Sequence, residues 1–179
     1  WVPAWPGWLP VHSPAYRAGY VSTAVGLVGE FGLKLVVVHG TEGYLVPELL
    51  AGAGVPVITG PCLTDRSKPE LVGQTLDNPA LLHRAGVKIA ICTDHPETPI
   101  QYLPLCAAMA VRGGLDPEEA LAAITSSAAE IAGLSKRVGT PPPRKDADVV
   151  VTRGPPFDWN GNIRAVFPHG RTANKSAWS

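Results

Sequence analysis

Two short β-branched runs, each cut off by residues that bind metals or move protons, constrain this chain more than anything else in it. Residues 33–38 are apolar apart from Lys34 and stop at His39-Gly40-Thr41. Residues 87–92 have the same form and stop at Thr93-Asp94-His95. Runs of this length, rich in Val and Ile and bounded by turn residues, read as buried strands. In a parallel α/β sheet the carboxyl ends of the strands are where sites are built. His39, Asp94 and His95 are the candidate functional residues on that ground.

The segments around these runs carry the period of helices. Tyr16, Tyr20, Ala24, Leu27 and Phe31 recur every three or four positions and share one helix face, with Gly32 as the stop. A short helix is predicted over 45–52, with Pro47 in its first turn, and a strand over 55–59. Residues 60–77 form a long polar connection, a length that often marks an active-site loop. Asn78 followed by Pro79 reads as an N-cap and first helical residue, opening a helix to Ala85 that Gly86 ends. A further helix is expected over 99–112. Asp116 is the expected N-cap of the next one, with Glu119 closing a capping box. Leu121, Ile124, Ala128 and Ile131 form its predicted buried face and Gly133 its end.

Beyond residue 135 the pattern changes. Pro141, Pro142 and Pro143 followed by Arg144 and Lys145 read as a linker, and strands are expected over 147–152 and 163–168, with a turn at His169-Gly170. The expected order is α-β-α-β-α-β-α-α and then strands, the alternation of a parallel sheet with helical crossovers. A complete (β/α)8 barrel takes about 250 residues, so 179 residues with three clear strands read as the last part of one. The expected division is an irregular Pro/Trp arm over 1–10, a partial barrel over 11–135, and a linker with β-sandwich strands over 136–179.

Fifteen Lys and Arg balance fifteen Asp and Glu, which leaves no electrostatic footprint for nucleic acid or an anionic membrane. No apolar run approaches the roughly 18 residues of a membrane span, and no basic-then-apolar leader is visible. The expected location is the cytoplasm. Cys62, Cys92 and Cys106 have no metal-ligand spacing and are expected to be reduced.

The two strand-end motifs, Val36-Val37-Val38-His39-Gly40-Thr41-Glu42-Gly43 and Ala90-Ile91-Cys92-Thr93-Asp94-His95-Pro96, resemble the sixth- and eighth-strand ends of the metal-dependent amidohydrolase superfamily. The imidazolonepropionase-like branch is the nearest in pattern. Lys145-Asp146-Ala147-Asp148 with Ala165 to Arg171 is similar to the segment that returns from that family's barrel to its composite β-sandwich. The resemblance covers about residues 11–172. It implies an α/β chain that is the C-terminal part of a (β/α)8 barrel with a small β appendage. It also implies a divalent metal, Zn first and Fe, Mn or Ni as alternatives. His39 would be a metal ligand. Asp94 would bind metal and take a proton from the attacking water. His95 would touch substrate or orient Asp94. The implied reaction is metal-dependent hydrolysis of a C–N bond other than a peptide bond, in a small cyclic amide or amidine.

The sequence departs from that family at several places: the fourth-strand lysine or glutamate is missing, and Arg137 to Arg144 replaces a Gly-containing turn. It contains no first-strand His-X-His pair. In the fifth-strand region, Val11 to Ala18, alignment on Arg17-Ala18 puts Pro14 and Tyr16 where the family has histidines, and His12 two residues too early. One histidine and one aspartate fall short of the three protein ligands usual for catalytic zinc. The rival reading is therefore a non-catalytic remnant, or a subunit that needs a partner chain to complete barrel and metal site. Open sheet edges would favour self-association or such a complementing chain. A flavodoxin-like binding module is the third reading. It needs a Gly-rich phosphate loop, which Gly40 and Gly43 do not form. Glu42 is a candidate partner for His39, and Arg66 and Lys68 are candidate contacts for an anionic substrate. His83 and His169 read as solvated.

Overall fold

The computed structural model describes residues 9–141, 143–158 and 162–173. Most of the Pro/Trp arm and Pro142 of the linker lie outside them. The first element among the described residues is a strand, which the periodicity did not show and the resemblance alone placed there: β1 spans Val11–Ala15. Pro14 hid it, since proline is confined to sheet edges, and β1 is an edge strand. Then follow α1 (Ala18–Phe31), β2 (Leu35–His39), α2 (Pro47–Gly52), β3 (Val57–Thr59), α3 (Asn78–Arg84) and β4 (Ile89–Ile91). The four strands form one parallel sheet in the order β1-β2-β3-β4. Its register puts Ala15 beside His39, His39 beside Thr59, and Thr59 beside Ile91. All four carboxyl ends therefore stop at one level.

Alternation sorts the strand residues onto two faces. Leu35, Val37, Val57, Ile89 and Ile91 meet the helices, through Val21 and Val25 of α1, Leu50 of α2 and Ala80 and Leu82 of α3. Cys106, Ala107 and Ala110 of α4 (Leu103–Arg112) and Ala120 and Ala123 of α5 (Pro117–Ala123) complete that layer. Val36 and Ala90 lie in a separate cluster with Ile58, and there they meet Ala128 and Ile131 of α6 (Ser126–Ile131).

The single helix expected after Asp116 is thus two helices. The break falls at Ile124 and Thr125, where Thr125 leaves helical geometry at φ −135 and ψ −91 and its hydroxyl donates to the Leu121 carbonyl at 2.6 Å. The reason is topological: α5 belongs to the helix layer, α6 to the other cluster, and both touch β4. Leu121, expected in the core, is exposed, and Ala120 and Ala123 are buried instead. The capping box is not used either; the Asp116 carboxylate accepts from the Glu118 amide at 2.8 Å.

Helix α1 ends at Gly32 as its sequence predicts, with φ 62. It buries Val21 and Val25, while Tyr20, Leu27 and Phe31, from the face picked out by spacing, stay about half exposed. After α6 come β5 (Val149–Arg153) and β6 (Asn162–Phe167), an antiparallel pair. No helix among the described residues is long and apolar enough to cross a membrane.

Candidate functional site

The strand-end level is where the chain's unusual backbone gathers. Among the described residues only four non-glycine residues have positive φ: His39 at 71, Asp94 at 52, Arg144 and His169. Such conformations cost about 1–3 kcal/mol each and persist where surrounding structure imposes them. The first two are the residues that sequence reasoning placed at the ends of β2 and β4.

His39 is 7% exposed and held on two sides. Its Nδ1 lies 2.9 Å from the Gly60 carbonyl. A carbonyl only accepts, so Nδ1 carries the proton, and in the neutral ring Nε2 keeps the lone pair. A carbonyl on the far nitrogen is how ligating histidines are usually oriented. The Tyr16 ring stacks on the imidazole, centroids 4.4 Å apart and planes 12° from parallel. The fifth-strand departure is thus in contact with the sixth-strand candidate, a pairing that sequence alone left open.

Asp94 and His95 are both exposed. The Asp94 carbonyl accepts from the Glu97 amide at 2.8 Å, closing a turn, and the Thr93 carbonyl accepts from Thr98 at 3.2 Å. One strand, β3, lies between β2 and β4, so two inter-strand spacings put them about 10 Å apart at the backbone. Among the described residues no group of three or more His, Cys, Asp or Glu is placed to hold a metal. The donor types, a neutral imidazole and a carboxylate, suit a divalent ion, but two donors do not complete its site.

Glu42 does not orient His39. Its carboxylate accepts from the Ala18 amide at 3.0 Å, at the start of α1, and pairs with Arg17 at 3.9 Å. An acid there is favoured by the helix's exposed amides. Arg66 is used within the loop, donating to the Gln74 carbonyl at 2.6 Å, and Lys68 is exposed. His83 is half-buried and His169 exposed, each beside a carboxylate at 3.8 Å, Glu119 and Asp148 respectively.

The residue that sequence reasoning missed is Asn78. It does not cap α3 but is its first residue, and its side chain turns back beneath the strand ends. Its Nδ2 donates to the Gly40 carbonyl at 2.9 Å and to the Thr59 hydroxyl at 3.2 Å, and its Oδ1 accepts from the Tyr44 amide at 3.0 Å. One amide thereby fixes the loops after β2 and β3 to each other. Nothing in the local pattern signals this, because Asn before Pro fits a cap equally well.

The three thiols are free. Burial pushes Cys62 up to about 12 and Cys92 up to about 11, the latter partly offset by the Asp94 backbone amide, and burial also raises Cys106. Since thiolate is the nucleophile, iodoacetamide at pH 8 is expected to label Cys62 and Cys92 at least tenfold more slowly in the folded chain than in urea. Equal rates would contradict it. A raised thiol pKa stabilises the fold below the unfolded value near 9 and loses that contribution as pH climbs through the folded values. The chain should therefore lose stability between about pH 9 and 12.

Comparison with known proteins places this arrangement. The sequence model of the Amidohydrolase family matches residues 15–173. Among solved structures, the amidohydrolase from Thermotoga maritima MSB8 superposes with a TM-score of 0.92 at 38% identity, over 97% of this chain and 45% of that one. An adenosine deaminase from Xanthomonas campestris with bound zinc gives 0.62 at 22% identity, over 92% of this chain and 45% of that one. A Xaa-Pro dipeptidase with bound methionine in its active site gives 0.60 at 19%, over 90% and 50%. The last two likenesses show fold alone. The chain spans half or less of the length of the structures it matches. No curated protein matches it.

Proposed function

The chain belongs to the amidohydrolase family, a family of hydrolases, and from that premise we propose that it supplies the sixth- to eighth-strand part of the site of a metal-dependent enzyme. The substrate would be a small molecule, and the bond a C–N bond other than a peptide bond, in a cyclic amide or amidine. The observation that carries this is His39, a buried imidazole whose Nδ1 is committed to the Gly60 carbonyl and whose Nε2 keeps its lone pair at the strand-end level.

His39 and Asp94 would hold a divalent ion together with ligands from outside the described residues. The ion, when bound, lowers the pKa of water and polarises the bond to be cut. Asp94, exposed at the rim, would accept the proton of the attacking water and return it to the leaving nitrogen. His95 beside it would contact the substrate. The zinc in the adenosine deaminase relative and that protein's named activity agree with this reading; the dipeptidase relative makes the peptide bond the competitor to test.

A second reading has its own observation. Tyr16 occupies a position where the family's pattern has histidine, and it lies flat on His39. That substitution favours a site that has lost its metal, a remnant.

Elemental mass spectrometry after zinc loading decides between them. In the complete enzyme, zinc bound by the wild type and reduced at least tenfold in both His39→Ala and Asp94→Asn is the expected result. Zinc retained equally by all three would sink the assignment of these ligands, and no zinc in any of them would favour the remnant. For the complete enzyme, Asp94→Asn should cost about 10²–10⁴-fold in turnover of cyclic amides or amidines. Faster turnover of Xaa-Pro dipeptides would overturn the non-peptide assignment.

A further inference from the structure

Asp94 and His95 ride on a short turn with an unusual base. Residues 94–97 are exposed, while the residues on either side of them, Thr93 and Thr98, are buried, at 6% and 2% exposure. The Thr98 amide donates to the Thr93 carbonyl at 3.2 Å, outside the bond from the Glu97 amide to the Asp94 carbonyl that closes the turn. The Thr98 hydroxyl leaves the turn altogether and donates to the Leu63 carbonyl at 2.9 Å. Leu63 belongs to the connection after β3 and is itself anchored. Its side chain packs on the core, and its amide donates to the sulfur of the buried Cys106 on α4. A second link between the two loops, from the Thr64 hydroxyl to the Glu97 carboxylate at 3.1 Å, is exposed.

We infer that Thr98 is a positioning residue, which fixes the rim turn carrying Asp94 by tying it to the Leu63 carbonyl of the neighbouring connection. The inference rests on the role proposed above for Asp94. Strand β4 ends at Ile91, and Asp94 leaves it at φ 52, so the ladder of the sheet does not set where the carboxylate stands. A conformation of that kind holds only where the contacts around it impose it. The bond from Glu97 to Asp94 sets the shape of the turn but not its direction from the sheet. Direction needs a partner outside the turn. The Leu63 carbonyl is the partly buried one, and a bond shielded from water constrains more than the exposed link at Thr64. Removing the hydroxyl leaves that carbonyl without its donor. The connection after β3 therefore serves both candidate ligands. Gly60, at its root, sets the His39 proton, and Leu63, a little further on, sets the turn of Asp94.

The test compares Thr98→Val, which keeps the shape and loses the hydroxyl, with Thr98→Ser, which keeps the hydroxyl, in the complete enzyme. Hydrogen exchange is read at the Glu97 and Thr98 amides, and zinc affinity by competition with a chromophoric chelator. Thr98→Val should speed both amides by about tenfold or more and weaken zinc by about ten- to a hundredfold, while the amides of β2 keep their rates. Thr98→Ser should bring both readings back to within about twofold of wild type, and Thr64→Ala should match it. In an Asp94→Asn background Thr98→Val should weaken zinc no further, because its effect on the metal runs through that carboxylate. Unchanged exchange at Glu97 and Thr98 in Thr98→Val would overturn the inference. So would a zinc loss that persists undiminished in the Asp94→Asn background, or a Thr64→Ala protein as perturbed as Thr98→Val. Faster exchange in Thr98→Val, rescued by serine, in an enzyme that binds no zinc would leave the positioning intact and count against the proposed role of Asp94 instead.

Discussion

Replacing Gly60 by alanine is expected to lower the stability of the folded chain by about 4 kcal/mol, a drop in Tm of roughly 8–16 °C for a domain of this size. Two effects add. Gly60 has φ 129, a conformation that residues with a Cβ rarely adopt. A Cβ built there would also run into the backbone carbonyl of Cys92, with the Cys92 sulfur 3.3 Å away. That carbonyl belongs to the chain leaving β4 and has no flexible end to swing aside. The consequence reaches the site, because the Gly60 carbonyl accepts the His39 proton. Nitrogen-15 NMR of the imidazole should show the Nδ1–H tautomer in wild type and a mixture in any Gly60→Ala protein that folds. A Tm within 2 °C of wild type would show that the strand end tolerates a side chain here and that the close approach to Cys92 does not govern this turn.

Asn78→Ala should cost about 3 kcal/mol. The side chain is 3% exposed and makes three hydrogen bonds, and its removal leaves the Gly40 carbonyl, the Thr59 hydroxyl and the Tyr44 amide to find other partners. Each buried polar group left unpaired costs about 1–3 kcal/mol, and relaxation recovers part of the sum. Asn78→Asp preserves shape and places a carboxylate oxygen against the Gly40 carbonyl, so it should not rescue the loss at pH 7. Urea unfolding of the three proteins measures this directly. An Asn78→Ala midpoint equal to wild type, with unchanged slope, would mean that water replaces the amide at no cost.

The strand ends and the stop of the first helix were legible in the sequence. The runs ending in His39 and Asp94 became β2 and β4, and Gly32 stops α1 as expected. The failures share a cause: they depend on which face of the sheet a segment reaches. The spacing of Leu121, Ile124, Ala128 and Ile131 suits one helix. The chain instead changes face at Thr125, so Ile124 serves one cluster, Ala128 and Ile131 the other, and Leu121 neither. Tyr20 and Leu27 have helical spacing but point past an edge that no local pattern can reveal. Pro14 masked β1 because proline weakens a strand signal without forbidding an edge strand. Asn78 and Glu42 carry polar side chains with several plausible local uses, and only the fold decides which partner each one meets. The role of Asp94 rests on resemblance throughout, since its side chain stands exposed at the rim.

The long connection after β3 is fastened at its two roots, while its tip is held only by exposed side chains, Thr64 on Glu97 at 3.1 Å and Arg66 on the Gln74 carbonyl at 2.6 Å. Gln74 donates to the Pro61 carbonyl at 2.7 Å, Tyr44 reaches the Gly73 carbonyl at 3.1 Å, and Asn78 secures Thr59. Between those clasps, residues 64–68 have no regular structure and carry mostly exposed side chains. The atom that sets the His39 proton lies at the root. That exposed segment is therefore an exchangeable cassette: evolution or a protein engineer can rewrite it in sequence and length without moving the carbonyl that holds the imidazole.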